Sequence, residues 1–427
     1  MTSSTRVVLG AAVGNIVEWY DFGLYGLLAP ILATRFFPSD DRIAALLGVY
    51  GGFAVGFAMR PLGAIVLGRV GDRRGRQFVL VLSVALMGIS TAAIGLLPTY
   101  HAIGIAAPLL LIAIRLFQGF SVGGEFVGSV TYLVENAPQH RRGIAGSVAN
   151  LGATVGMLLA GGAGALAETH GATFQHLWRV PFLFGGLLAF VGYLLRRHLP
   201  PEAPPEQAPA RTREVGEGGF SKLIARWPAL EAFREIPRTM IVAMLFTCGY
   251  GVSNYLTMVF LPTFGHEFAG IPDSAALKIN SAGQALAFFV VPLAGWISDR
   301  WIRRRTVLAF AFLLQSVLAW AMFSLVLKRG VDGLWAAQLL LAGSLALVMG
   351  TAPAWLAEQF PRGFRVSGHA LVLNVGIGIA GGTAPMIAIA LIKSTGSQMA
   401  PAVYLTVACA VSCVSALLLV DRSREQL

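Results

Sequence analysis

The chain has little charge. Asp, Glu, Lys and Arg make up 12% of its 427 residues, against roughly a quarter in ordinary soluble domains, which excludes a water-soluble fold with a normal polar surface. Cysteine is scarce as well: Cys248, Cys409 and Cys413 all lie in apolar runs without C-x-x-C spacing. That argues against a disulfide framework or a zinc site, and the three read as small packing residues. None of the four lysines follows a glycine, so no Gly-x-x-x-x-Gly-Lys loop is present and an ATP-driven pump is not indicated. Neither His-Glu-x-x-His nor a recognisable Ser, His and Asp set occurs, so the chain is expected to be no enzyme, with no metal and no organic cofactor. A cleavable signal is also missing, because the first apolar run is too long and carries acids; it is expected to remain as a spanning helix.

What is abundant is apolar. Hydrophobic residues reach 56%, and breaking the chain at polar, Pro and Gly clusters leaves segments of spanning length. These run near 7–34, 45–68, 78–97, 106–133, 144–167, 179–199, 237–262, 279–298, 306–327, 335–357, 368–392 and 401–420. With the N-terminus in the cytoplasm, 23 of the 32 Lys and Arg fall in inner loops and seven in outer ones; Arg60 and Arg115 lie within the membrane. This asymmetry predicts a multi-pass protein of the cell inner membrane with both termini cytoplasmic, and it accounts for the net charge of +11 without nucleic acid. The loop from about 200 to 236 opens with the Pro-rich LPPEAPPEQAPAR and suits an extended linker, followed by a stretch, Phe220 to Ile236, that fits a surface or linker helix.

Two loops occur twice. GRVGDRRGRQ (68–77) returns as GWISDRWIRRR (295–305), and Glu135 with Pro138, Arg141 and Arg142 returns as Glu358 with Pro361, Arg362 and Arg365. The spacings, 227 for Asp72 to Asp299 and 223 for Glu135 to Glu358, nearly agree. The expected fold is therefore an all-α membrane protein of twelve transmembrane helices in two pseudo-symmetric six-helix bundles, 1–199 and 237–427, joined by the linker 200–236. Such repeat-built transporters hold substrate at the bilayer midplane between the halves and rock about it. Asp72, Arg73 and Arg76 are expected to pair with acids and helix C-termini of neighbouring helices, as a latch that holds the halves together in the outward-open state, and Asp299 and Arg300 recur as gating-loop residues in the other half.

Charge inside a spanning segment is costly and marks function by default. The first segment carries GNIVEWYDFGLY, Gly14 to Tyr25; Asn15, Glu18, Phe22 and Tyr25 share one helical stripe, with Asp21 beside it. In the fourth segment Arg115, Gln118, Val122 and Glu125 share another. Arg115 needs an anion, supplied by Glu18, Asp21, Glu125 or a substrate carboxylate, and either a fixed structural pair or a proton-linked one satisfies it. Arg60 is expected to pair with the loop network. In the second half the polar candidates for substrate contact are Asn254 and Gln284.

These stretches also carry a resemblance. Gly68 to Arg76 and its copy look like the signature loops of the major facilitator superfamily. GNIVEWYDFGLY, RPLGAIVLGRVGDRRGR (60–76), RLFQGFSVGGEFVGS (115–129) and NVGIGIAGGTAP (374–385) resemble the metabolite:proton symporter family within it. The resemblance implies a proton-coupled symporter of a small solute, acting as a monomer by alternating access. Glu18, Asp21 and Glu125 are then the candidates for proton coupling, and Asn15, Tyr25, Arg115, Gln118, Asn254 and Gln284 for substrate binding. The Gly-Pro pair that drug exporters of the superfamily typically carry in the fifth segment is absent, which favours uptake. Arg115 directs the substrate expectation to a di- or tricarboxylate-like metabolite. The alternative is a zwitterionic osmolyte such as proline or betaine, which the ending DRSREQL, with no coiled coil after the last segment, weighs against. A non-transporting receptor is the reading of a different class.

Overall fold

Backbone N–H and C=O groups in lipid must be satisfied within the chain, so long apolar runs become helices. The computed structural model describes residues 3–74, 76–121, 125–171, 176–197, 228–361 and 365–425; of the side chains of 3–12, 65, 68–69, 71–73, 76–77, 122–126, 170, 196 and 228–230 nothing is described. Among the described residues, nine helices are long and apolar enough to cross a membrane. A tenth span is the bent pair Val13–Leu27 and Ala29–Phe36, and two shorter apolar helices, Ala106–Ser121 and Arg179–Leu195, complete twelve. The sequence treats the first run as one straight segment. In the structure it turns by 63° just before Pro30, where a proline closes the first turn of a new helix.

The spans used below are span 1 (Ser3–Leu27 and Ala29–Phe36), span 2 (Arg42–Ala58 and Arg60–Arg74), span 3 (Arg76–Leu96), span 4 (Ala106–Ser121 and Glu125–Glu135) and span 5 (Arg142–Gly171). In the second half they are span 7 (Pro237–Tyr255, Leu256–Phe260 and Leu261–Ala269), span 8 (Asp273–Arg300), span 9 (Arg304–Arg329), span 10 (Val331–Gln359), span 11 (Arg365–Leu373, Asn374–Gly381 and Gly382–Thr395) and span 12 (Ala400–Leu418). Of the expected linker, only the helix Pro228–Glu235 lies among the described residues.

Position in the bundle follows burial. In span 7, 83% of the most apolar stretch is buried, and in span 3 only 33%; span 7 is central and span 3 faces lipid. The outer surface keeps bare Ile89, Phe289 and Val317, which lipid tolerates and water would not. Span 5 of the first half crosses span 8 of the second where Gly143 and Gly295 face each other. A Cβ on Gly295 would stand 2.7 Å from the Gly143 carbonyl oxygen, so only glycine permits this approach. Spans 7 and 11 each contain a π-helical stretch, Leu256–Phe260 and Asn374–Gly381. Such bulges loosen the helical ladder and cluster at functional sites.

Candidate functional site

Three sets of polar side chains occupy the seam and the core of the first half. The first lies at the end that carries both chain termini. Asp299, at the end of span 8, accepts the backbone N–H groups of Gly143 (2.7 Å) and Ile144 (3.0 Å) in the first turn of span 5. Those N–H groups have no partner within their own helix, and the positive end of the helix dipole favours the carboxylate. Arg304 donates to the same carboxylate at 2.6 Å and to Glu358 at 2.5 Å. Glu358 also faces Arg142 of the first half at 3.9 Å, while Arg365 of the second half meets Glu135 of the first at 2.7 Å.

One expectation about this end is corrected. Asp299 does join the halves, holding a helix N-terminus of the first half and Arg304 of its own. Arg300 is exposed and lies over the Trp296 ring, 5.6 Å from its centre, so its expected place in the latch falls to Arg304, which is fully buried. The side chains of Asp72, Arg73, Arg76 and Glu125 lie outside the described residues. After span 12, Asp421 accepts the Arg305 N–H at 2.9 Å. Burial pushes its carboxyl up, but the hydrogen bonds from Ser423 and Arg305 outweigh that and hold it below its ordinary value.

The second set closes the far end. Arg42 of span 2 forks onto Glu267 of span 7, with Nε 3.1 and 3.0 Å from the two carboxylate oxygens. Lys393 of span 11 meets Asp41 at 2.7 Å, and Tyr50 donates to Thr263 at 2.9 Å. Lys393 first, then the Ala44 N–H, holds the Asp41 carboxyl below its usual range. Both ends are thus clasped, and the conformation is occluded.

The third set comes from span 1. Asp21 accepts from Thr91 at 2.6 Å and from Gln118 at 2.7 Å, and faces Arg115 at 3.6 Å. Arg115 donates to Gln118 at 2.8 Å and lies 4.2 Å from the Tyr25 ring centre. Of the three protein acids that the sequence offers Arg115, the structure pairs it with Asp21. One turn away, Glu18 pairs with Arg60, so the expectation that Arg60 joins the loop network is corrected: it reaches back to span 1. Its guanidinium carbon lies 5.2 Å from the ring centres of both Phe22 and Phe57.

Asn15 donates to the Ala149 carbonyl of span 5 at 2.9 Å, and Tyr25 to the Val49 carbonyl of span 2 at 3.1 Å. Gln284 meets the Met258 sulfur at 3.0 Å, beside the π-helical stretch. Asn254 is buried one position before Tyr255. A candidate missed by sequence is Trp19 of span 1, which lies nearly parallel to Tyr255 of span 7 across the seam, centroids 6.3 Å apart at 18°. Phe57 and Phe53 of span 2 stand edge-on to Tyr255, at 5.2 Å and 71° and at 5.6 Å and 77°. The available signal was the position of Trp19 beside Glu18, inside a charged helical stretch.

Two six-helix bundles with charge buried along their seam and clasps at both ends define a multi-pass membrane transporter. The family model for the Major Facilitator Superfamily matches residues 11–372 and, overlapping, 251–427. The chain belongs to the major facilitator superfamily. It is 32% identical over 432 residues to the proline/betaine transporter of Escherichia coli K12, covering 99% of this chain and 84% of that protein. It is 32% identical over 429 residues to the ectoine/proline transporter of Corynebacterium glutamicum, covering 98% and 84%. With the shikimate transporter of Escherichia coli K12 it shares 31% identity over 430 residues, covering 99% and 96%. The crystal structure of a D-xylose–proton symporter superposes with a TM-score of 0.74 at 16% identity, covering 99% of this chain and 98% of that one.

Proposed function

We propose that the chain imports a zwitterionic osmolyte of the proline or betaine type together with a proton, across the inner membrane with both termini cytoplasmic. The observation that carries the mechanism is the Glu18–Arg60 pair. It is buried, and Arg60 lies over the Phe57 ring, which stands edge-on to Tyr255 of the other half. A proton arriving on Glu18 removes the negative partner of Arg60. The freed guanidinium then takes the solute's carboxylate, because an unpaired buried cation is costly. Proton and solute therefore bind together, and neither binds well alone. Asp21, with Thr91, Gln118 and Arg115 around it, serves as the fixed pair that holds span 1 against spans 3 and 4.

The relatives support this choice of solute over a di- or tricarboxylate: proteins named for proline, betaine and ectoine match nearly the whole chain. A second reading follows from the shikimate transporter, since a simple carboxylate also satisfies Arg60. Charge separates the two. One proton with a zwitterion carries a net positive charge inward, whereas one proton with a monoanion carries none. Uptake of labelled glycine betaine, proline and shikimate into proteoliposomes is the test, with pH gradient and membrane potential imposed separately. We expect the zwitterions to accumulate, faster with the inside negative, and a protonophore to abolish accumulation. Accumulation that ignores the protonophore rules out symport, and potential-independent uptake of shikimate alone selects the second reading.

A further inference from the structure

With the proton on Glu18 and Arg60 on the solute's carboxylate, the solute's cationic nitrogen is left without an acid, because Asp21 is committed to Arg115. What borders the pair instead is aromatic. Trp19 and Tyr255 form two nearly parallel walls, and Phe57 stands almost perpendicular between the halves. A cation is held over ring faces when it lies within about 6 Å of their centres, and the attraction is largest where water is excluded. Trp19 and Tyr255 are 8% and 1% exposed and Phe57 fully buried, so this is a desolvated site. Phe57 already carries the Arg60 guanidinium over one face, so the ring is placed to hold positive charge.

A second observation points the same way. The indole Nε1 of Trp19 and the hydroxyl of Tyr255 are buried without a hydrogen-bond partner. Buried donors are normally satisfied, and two orphans on the two facing rings suit a ligand that brings an acceptor. A zwitterion brings a carboxylate for the donors and a cation for the faces. Tyr255 also immediately precedes the π-helical Leu256–Phe260 stretch, and Gly381, which ends the π-helical stretch of span 11, lies against its ring. The wall contributed by the second half therefore sits where the backbone can readjust.

We propose that Trp19, Tyr255 and Phe57 form the subsite for an N-alkylated ammonium, with the Trp19 and Tyr255 donors turned to the carboxylate. The assignment rests on the osmolyte reading. It names a specificity: quaternary and cyclic secondary ammonium ions fit the ring walls, whereas a primary ammonium needs hydrogen-bond acceptors that the rings lack and pays more to leave water. It also ties the subsite to the seam, because one ring belongs to each half and the two, 6.3 Å apart in this clasped form, must separate to admit an ammonium between them.

The test uses the full-length protein in proteoliposomes, with labelled glycine betaine taken up against 3,3-dimethylbutyrate as competitor. The competitor has the same shape and carboxylate, with carbon in place of the charged nitrogen. We expect it to compete at least about ten-fold more weakly than unlabelled betaine, the size of a desolvated cation–π contact. Tyr255→Phe should keep that discrimination and weaken binding of both compounds alike. Tyr255→Leu and Trp19→Leu should bring betaine down toward the neutral isostere while leaving the isostere nearly unmoved. If either leucine variant does not reconstitute, Trp19→Phe, which keeps a smaller face, should give an intermediate ratio. Equal competition in the unmodified protein, or an unchanged ratio in the Trp19 and Tyr255 variants while betaine is still transported, overturns the ring subsite alone. Transport of shikimate with none of betaine or proline overturns the osmolyte reading and the subsite with it.

Discussion

Span 1 carries two acids one turn apart, and each has its own arginine. Asp21 and Arg115 are enclosed in the first half, fenced by Thr91, Gln118 and Tyr25. Glu18 and Arg60 lie by Phe57, which stands edge-on to Tyr255 of the second half. The chemistry of the two pairs is nearly the same; their neighbourhood is not. Both arginines come within one ring of Tyr255, so what sets Asp21 apart is its network: Thr91, Gln118 and Arg115 tie it to spans 3 and 4 and brace the first half. Cost of burial by itself therefore identifies both pairs, and the network around each distinguishes them.

The largest effect expected is on the bracing pair. Arg115→Leu strands Asp21 as an uncompensated buried charge and should cost about 3–5 kcal/mol, read as a large drop in the melting temperature of the purified protein. A melting temperature close to that of the unmodified chain would remove the distinction between the pairs. Next comes Glu18→Gln, which keeps the shape and removes the charge. Stability should fall too, because Arg60 is left buried without its acid, but concentrative uptake under a pH gradient should fall to the level of simple equilibration while exchange of labelled for unlabelled solute persists. Loss of exchange together with accumulation would make Glu18 a brace like Asp21.

Smaller effects probe the clasps. Asp299→Ala removes the cap on the first turn of span 5, worth about 0.5–2 kcal/mol at a helix N-terminus. It should raise the labelling of a cysteine placed near Gly143 at the termini end and leave a far-end site unchanged. Asp41→Asn should act least. Asparagine still caps the helix at Ile43 and Ala44, so only the Lys393 pair is lost. Because Asp41 titrates below its ordinary value in the folded protein, its contribution is present at neutral pH and disappears as pH falls through that lowered pKa. The small increase in far-end labelling should accordingly vanish in acid, where the unmodified Asp41 is itself protonated.

The spans were legible because lipid demands apolar length, and the two halves because the Asp72 and Glu135 loops repeat at Asp299 and Glu358. Helical spacing also brought out the acids of span 1 and the shared face of Arg115 and Gln118. Where sequence reading stopped is equally instructive. Glu18 meets Arg60 because spans 1 and 2 cross at that height, and no spacing within one helix encodes a crossing. The cap that Asp299 places on span 5 is a contact between distant helices, invisible until both are packed. The place of Trp19 stayed hidden because it depends on facing Tyr255 across the seam. The preference for osmolyte over carboxylate came from relatives and from those rings, since Arg115 argues equally for any anion.

The exchange at the termini end has a meaning beyond closure. Under the repeat spacing of 223, Glu358 corresponds to Glu135 and Arg365 to Arg142. The two bridges, Glu135 to Arg365 and Glu358 to Arg142, are therefore one contact made twice. That is the signature of a self-complementary dimer, in which residue i meets j and j meets i, preserved inside a single polypeptide. Part of what aligns the bundles is thus carried on their surfaces. Residues 1–197 and 228–427, made as separate chains in one cell, are expected to associate through these patches, which co-purification of the two checks.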